Sequence, residues 1–210
     1  MAVTALSFDN VVEIVSVMTD AFVDYPVMRW TLGADSPALA APYNVRLHRL
    51  VQLFVSARAY RDEPMIGVRD ERGVLVAAAV VSLPSSGDPP PTFIALRESI
   101  WAELGADARG RYDAYAAAGA SFFSTIGPHH HLNMIGVRRT HQSFGLGREL
   151  LGAVQKLAAD DPQSTGVSLT TELADNVRLY EHFGYHVVGH KRVGPGFETW
   201  GMFRERPLSG

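Results

Sequence analysis

The sequence predicts an α/β protein built on a mixed sheet, and three observations support that reading. Strand-like apolar runs and helical apolar periodicity alternate along all 210 residues. Turn and breaker residues stand at the junctions between those patterns. No segment repeats, so the alternation belongs to one unit spanning 1–210.

VTALS at 3–7 is a first short strand. Val11, Ile14, Val15, Met18 and Phe22 then recur at helical spacing and predict an amphipathic helix over about 9–23. That helix stops near Asp24, Tyr25 and Pro26, because a residue preceding proline avoids the helical region. Leu47, Leu50, Val51 and Phe54 mark a second helix from about Pro42 to Ala59. MIGVR (65–69) and VLVAAAVVSL (74–83) flank the turn DERG as a hairpin. SSGDPPP (85–91) is a surface loop, since apolar patterning resumes directly after it. One or two helices fill roughly 92–125, and HLNMIGV (131–137) is a strand. Leu146, Leu150, Val154 and Leu157 share one face of a helix that ends before Asp161 and Pro162. VSLTT (167–171), a short helix at 176–183, and closing strands at 185–193 and 199–205 complete a sheet of six to seven strands.

Composition excludes several function classes. A net charge of −3 argues against a nucleic-acid scaffold or a polybasic membrane anchor. The absence of cysteine removes a thiol nucleophile, a zinc–cysteine site and a disulfide framework. The first residues, with Asp9 and Glu13 and no basic start, do not read as a signal peptide, and no apolar run is long enough to span a bilayer. The expectation is a soluble, cytoplasmic protein with neither nucleic-acid nor membrane partners.

QSFGLG (142–147) lies between the 131–137 strand and the helix that follows. The first N–H groups of a helix lack internal partners, and the helix dipole adds partial positive charge there. Gly145 and Gly147 would let those groups approach a phosphate with no Cβ in the way, while Leu146 anchors the turn in the core. Gln142 is placed to donate to a phosphate or to fix the loop. A glycine-eased turn with no ligand would show the same GxG. A dinucleotide fold does not fit, because its glycine loop belongs to a first βαβ unit. A hydrolase elbow does not fit either, since His141 stands where glycine is needed.

The motif's neighbours decide the matter. MIGV, RRTHQSFGLG, RELLGAVQKLA, VSLTT and DNVRLYEHFGY follow in order between His131 and Tyr185, and this set resembles the GNAT acetyltransferase superfamily. Gln142, Gly145, Gly147, Asn176, Tyr180 and Gly184 fall on that family's motif positions. AFVDYPVMRWTL, the break after VVSLP, and PGFETWGMFRERP extend the resemblance to its puromycin N-acetyltransferase group. Two positions depart from the pattern: Ser143 stands where glycine is common, and Arg139 where proline is frequent. Serine is tolerable there if its φ stays negative.

The resemblance implies the GNAT fold, with the two central strands splayed, and acetyl-CoA as co-substrate with no metal. It places the acyl carrier along Ile135, Gly136 and Val137, the loop Gln142, Ser143, Phe144, Gly145, Leu146 and Gly147, then Arg148, Asn176 and Tyr180. Pairing of the carrier with the strand asks for a bulge near Gly136, and the oxyanion donor would be the backbone N–H of Ile135. Asn176 would cap its helix or touch the carrier. Tyr180, one turn after Asn176, would protonate the departing thiolate. The base that takes the amine's proton would be His131 first and Glu172 second.

Strand alternation sets His129, His131 and Asn133 on one face and His130, Leu132 and Met134 on the other, so these histidines do not converge on a metal. Phe22, Tyr25 and Trp30, with Asp24 and Tyr43, would wall the acceptor site. The expected activity is direct acetyl transfer to a small-molecule amine, an aminonucleoside-type antibiotic among the candidates. Acetylation of a protein amine, or acyl-CoA binding without catalysis, are the other readings. The family's closing strands suggest a homodimer.

Overall fold

The computed structural model describes residues 2–36, 42–194 and 197–207. Pro195 and Gly196, which open the closing segment of the resemblance, lie outside the described residues. Seven strands form one sheet: β1 (Val3–Leu6), β2 (Met65–Arg69), β3 (Leu75–Ser82), β4 (His130–Val137), β5 (Gly166–Thr171), β6 (His186–Val193) and β7 (Phe197–Glu205). Their order across the sheet is β1-β2-β3-β4-β5-β7-β6. Every neighbouring pair is antiparallel except β4 and β5, which run parallel.

Among the described residues seven α-helices accompany the sheet: α1 (Val11–Ala21), α2 (Pro26–Leu32), α3 (Tyr43–Ala59), α4 (Pro91–Leu104), α5 (Ala106–Gly119), α6 (Leu146–Asp160) and α7 (Ala174–His182). Helix α2 was not separately visible in the sequence. It starts with proline at its first position, where the missing N–H costs nothing, and ends at left-handed Gly33.

Apolar residues bury in two clusters, one on each side of the sheet. On one side Ile14, Val17 and Met18 of α1 meet Leu47, Leu50 and Val51 of α3, together with Ile100 and Trp101 of α4. On the other, Leu146, Leu150, Leu151 and Val154 of α6 pack on Val76, Ala77 and Ala79 of β3. Leu150 and Val154 have no exposed surface, and burying each contributes about 1.5–3 kcal/mol. Among the described residues no helix is long and apolar enough to cross a membrane.

One feature of the sheet positions the site. Strand β4 pairs with β5 only through His130, Leu132 and the residue between them, matched to Val167–Leu169. Beyond Leu132, β4 continues against β3 alone, as far as Val137 opposite Ala77. The two central strands therefore part, as the resemblance implied.

Candidate active site

The parting exposes backbone. The Arg138 N–H bonds to the Val76 carbonyl at 2.8 Å, which fixes the phase of the β3–β4 ladder. Alternation then sends the N–H and C=O of Gly136 and Met134 toward β3, and those of Ile135 and Val137 toward the gap. The bulge is not near Gly136. Met134 pairs with Val80 and Leu132 with Val81, so Asn133 is the extra residue. Gly136 has another cause: a Cβ there would lie 2.9 Å from both the Ala21 Cβ and the Met18 Sδ of α1.

The bulge also breaks the expected alternation, because Met134 joins the α1–α3 cluster while Leu132 stays with the α6 cluster. Asn133 keeps to the α3 side, where its Oδ1 accepts from Arg58 and its Nδ2 donates to Ser82 Oγ at 2.9 Å.

The glycine loop follows β4 directly. Gly145, left-handed at φ 80°, is the residue before α6. No atom lies within 4 Å of where its Cβ would be, and at Gly147 only Val137 Cγ2 comes as near as 4.0 Å. Glu149 makes the first helical bond, to the Gly145 carbonyl at 3.1 Å, so the N–H groups of Leu146, Gly147 and Arg148 precede any intrahelical partner. Leu146 is buried as expected, Phe144 is 68% exposed, and the Arg148 guanidinium lies 5.8 Å from the Phe183 ring. Gln142 fixes the loop by donating to the Val137 carbonyl at 3.4 Å, not by accepting.

Ser143 does not keep a negative φ; it sits at 71°. The chain must reverse there before Gly145, and the left-handed region costs a serine about 1–2 kcal/mol. Arg139 ties the loop to α1: its N–H bonds to Asp20 Oδ2 at 2.7 Å, and its guanidinium reaches Asp24 at 3.7 Å.

Ile135, Asn176 and Tyr180 all line one cavity of about 630 Å³. Asn176 does not cap α7; Leu173 holds that position and Asn176 is the third helical residue. The Tyr180 ring meets Tyr185 edge-on at 5.7 Å. Its hydroxyl makes no hydrogen bond to protein among the described residues. Burial, then the charge of Glu172, pushes its pKa up to about 12.

The two candidate bases differ sharply. His131 lines the cavity and its Nδ1 meets Ser168 Oγ at 2.7 Å. Burial, helped by Arg58 and His129, lowers its pKa to about 4, so the ring is neutral at pH 7. Glu172 stands just past β5. Its Oε1 accepts from Tyr115 Oη at 2.9 Å and Thr199 Oγ1 at 2.8 Å. Its backbone N–H donates to Tyr25 Oη at 3.2 Å. Burial raises the Glu172 carboxyl above its usual range although Thr199, Tyr115 and Tyr25 pull the other way. Both of those bonds fall on Oε1.

Phe22 and Tyr25 line the cavity, but Trp30 and Tyr43 do not. Trp30 packs edge-on against Phe197 at 5.3 Å, and Tyr43 Oη donates to the Val23 carbonyl at 2.8 Å. Asp24 is exposed beside Arg139. Sequence reasoning missed Phe54, Arg58, Trp101, Tyr112, Tyr115 and Phe123 on the cavity wall. Up to Tyr115 their only sequence signal was the helical character of α3 to α5, and Phe123 lies beyond α5. Among the described residues no three His, Asp or Glu side chains are placed to hold a metal ion.

Residues 107–205 match the family model described as acetyltransferase (GNAT) domain. Solved structures resemble the whole chain. A Corynebacterium glutamicum protein described as histone acetyltransferase HPA2 and related acetyltransferase has a TM-score of 0.69 at 19% identity, with 99% of this chain and 97% of that one covered. Arylalkylamine N-acetyltransferase 2 from Aedes aegypti gives 0.65 at 12%, covering 96% of each chain. The Drosophila melanogaster polyamine N-acetyltransferase gives 0.59 at 17%, covering 96% and 97%. At these identities the likeness concerns the fold.

Proposed function

We propose that residues 1–210 act as one domain, an acetyl-CoA-dependent N-acetyltransferase of the GNAT type that acetylates a small-molecule amine, a reading supported by the match of residues 107–205 to the acetyltransferase (GNAT) domain model. The observation that supports this most is the meeting of two features. The backbone opened between β4 and β5 leads into a half-open cavity that also holds Tyr180 and Glu172. A volume of about 630 Å³ is in the range of small-ligand sites and suits a whole small molecule better than a polypeptide end. An aminonucleoside-like or other antibiotic amine would fall in that class.

The residues present fit acetyl-CoA. The bare N–H groups at the start of α6 and the clearance at Gly145 and Gly147 suit its diphosphate, and the gap-facing backbone of Ile135 and Val137 suits its amide-bearing arm. When bound, acetyl-CoA supplies an activated acetyl thioester. The chain's own groups do the rest.

The Glu172 carboxylate takes the proton of the incoming ammonium, directly or through water. It is favoured over His131, because a base of pKa about 4 offers little driving force near pH 7 while a buried carboxylate is a stronger base than a free one. The Ile135 N–H faces the negative charge that develops on the acetyl oxygen. With acetyl-CoA bound, the Tyr180 hydroxyl would lie on the side of the departing sulfur as the N–C bond forms and the C–S bond breaks, and the second amine proton would pass to the thiolate to give the free thiol. A phenol at about 12 against a thiol near 8.5 makes complete transfer in the resting site uphill by roughly 5 kcal/mol, so Tyr180 contributes first as a hydrogen-bond donor.

Calorimetry with coenzyme A and free-thiol release from acetyl-CoA across an amine panel test the proposal. Binding together with amine-dependent thiol release is expected. Absence of either would overturn it.

A further inference from the structure

The cavity's charged side chains are unevenly placed. Those lining it are Arg58, Arg61, Arg97 and Glu172. Arg58 pairs with buried Glu63, Nε to Oε2 at 2.7 Å. Arg61 has no carboxylate within ion-pair distance among the described residues, and donates instead to the carbonyls of Ala57 at 2.8 Å and Gly87 at 3.2 Å. Arg97 shares Glu98 with Arg109, at 3.1 and 2.7 Å. Three guanidiniums therefore line the cavity, and the carboxylates that pair with two of them, Glu63 and Glu98, stand behind its wall, with Glu98 also shared by Arg109. Burial holds the Arg58 guanidinium below its usual range, and the neighbouring charge of Arg61 pulls the same way.

The surplus lies away from Glu172. Arg58 is tied to Asn133 of β4, whereas Glu172 is tied to Thr199 of β7, with β5 between those strands. Paired strands at those places in the order would stand about 10 Å apart, and the parting of β4 from β5 beyond Leu132 widens that separation. Arg61 reaches further still, to the loop after β3. Aromatic rings line the cavity alongside: Phe54 and Trp101 lie 5.2 and 5.4 Å from Tyr112, and Arg61 sits 5.7 Å from the Phe93 ring.

We infer that the acceptor is an amine on an aromatic or apolar body whose far end bears an anionic group, a carboxylate or a phosphate, received by Arg61 and Arg58. This rests on the small-molecule acetyltransfer reading above and specifies its substrate class. Partly desolvated guanidiniums recognise such oxyanions by paired, charge-assisted hydrogen bonds. The amine at the other end then lies beside Glu172 and Tyr180.

The test compares para-(aminoethyl)benzoate and para-(aminoethyl)phenylphosphonate with neutral para-methylphenethylamine, by kcat/KM in thiol release, with the full chain. An acid-bearing amine is expected to be preferred by about tenfold or more, the worth of one charge-assisted hydrogen bond. The stronger of the two acids identifies the anion. Arg61→Gln is expected to erase that preference, with coenzyme A binding measured alongside. Equal or better use of the neutral amine overturns the inference, as does a preference that survives Arg61→Gln intact. The wild-type comparison stands whether or not the variant folds. If neutral amines are acetylated without an acid preference, only this inference fails. If coenzyme A does not bind, or no amine releases thiol, the acetyltransfer reading fails with it.

Discussion

The two walls of the cleft are made of different material. On the side proposed to hold the acyl carrier, from β4 through the start of α6, the groups presented are backbone N–H and C=O, and side chains matter mainly by their absence at Gly145 and Gly147. On the side proposed for the acceptor, α1 to α5 and their connections present side chains, chiefly aromatic rings with Arg58, Arg61 and Arg97 among them. A backbone wall depends on φ and ψ and is indifferent to most substitutions that keep them. A side-chain wall depends on packing between helices distant in sequence. Variants should therefore act through chemistry where the walls meet, and through conformation alone on the carrier side.

The largest effect is expected where the walls meet. Tyr180→Phe removes one oxygen from a ring already packed on Tyr185 and leaves the backbone cradle intact. Turnover should fall about ten- to a thousandfold with coenzyme A affinity nearly unchanged, by steady-state kinetics and calorimetry. Unaltered turnover with chemistry rate-limiting would remove Tyr180 from the reaction.

Glu172→Gln is next. The amide oxygen can still accept from Tyr115 and Thr199, so the fold is kept while the base is lost. A fall of about a hundredfold is expected, with loss of the acidic limb of the pH–rate profile. Should His131→Asn abolish that limb instead, the base is His131.

The same two groups influence stability with opposite sign. His131 has a folded pKa near 4 against about 6.5 unfolded, so its contribution is intact above pH 6.5 and is lost as pH falls toward 4. The full loss is on the order of 3 kcal/mol. Buried His130, also shifted down, adds to it. Glu172, shifted up, gains protons in the folded state over acidic pH and opposes it. Urea unfolding from pH 7 to 4 should therefore show a shallower decline in His131→Asn than in the wild type. Equal slopes would place His131 in a solvated environment.

What the sequence made legible follows the same division. The motif of the wall proposed for the carrier was visible because its parts are local: glycines at a helix start, then Asn176 and Tyr180 one turn apart. The splay was readable because the same segment implied it. The bulge was misplaced because it depends on pairing with β3 and on the Asn133 contacts to Arg58 and Ser82, which no single strand encodes. Tyr25 and Trp30 looked alike in the sequence; only tertiary packing turns one toward Thr171 and Glu172 and the other against Phe197. Arg58 lies on a helix whose buried face does not tell core from cavity, and Tyr115 lies on one with almost no one-sided apolar pattern, where only Ala108 is buried.

The smallest effect isolates the carrier wall's indifference to side chains. Ser143 holds φ 71° in an exposed loop, a conformation glycine adopts freely and alanine does not. Relief of the left-handed penalty in Ser143→Gly, offset by glycine's greater freedom in the unfolded chain, should stabilise the fold by about 1 kcal/mol or less. Ser143→Ala keeps the penalty and should gain nothing. If the cradle acts through its backbone alone, coenzyme A affinity in Ser143→Gly should stay within about threefold of wild type, below 1 kcal/mol. A drop beyond tenfold, with stability raised as expected, would mean that the serine hydroxyl itself grips a phosphate. The carrier wall would then be read partly through side chains, and the contrast between the two walls would weaken where it is now sharpest.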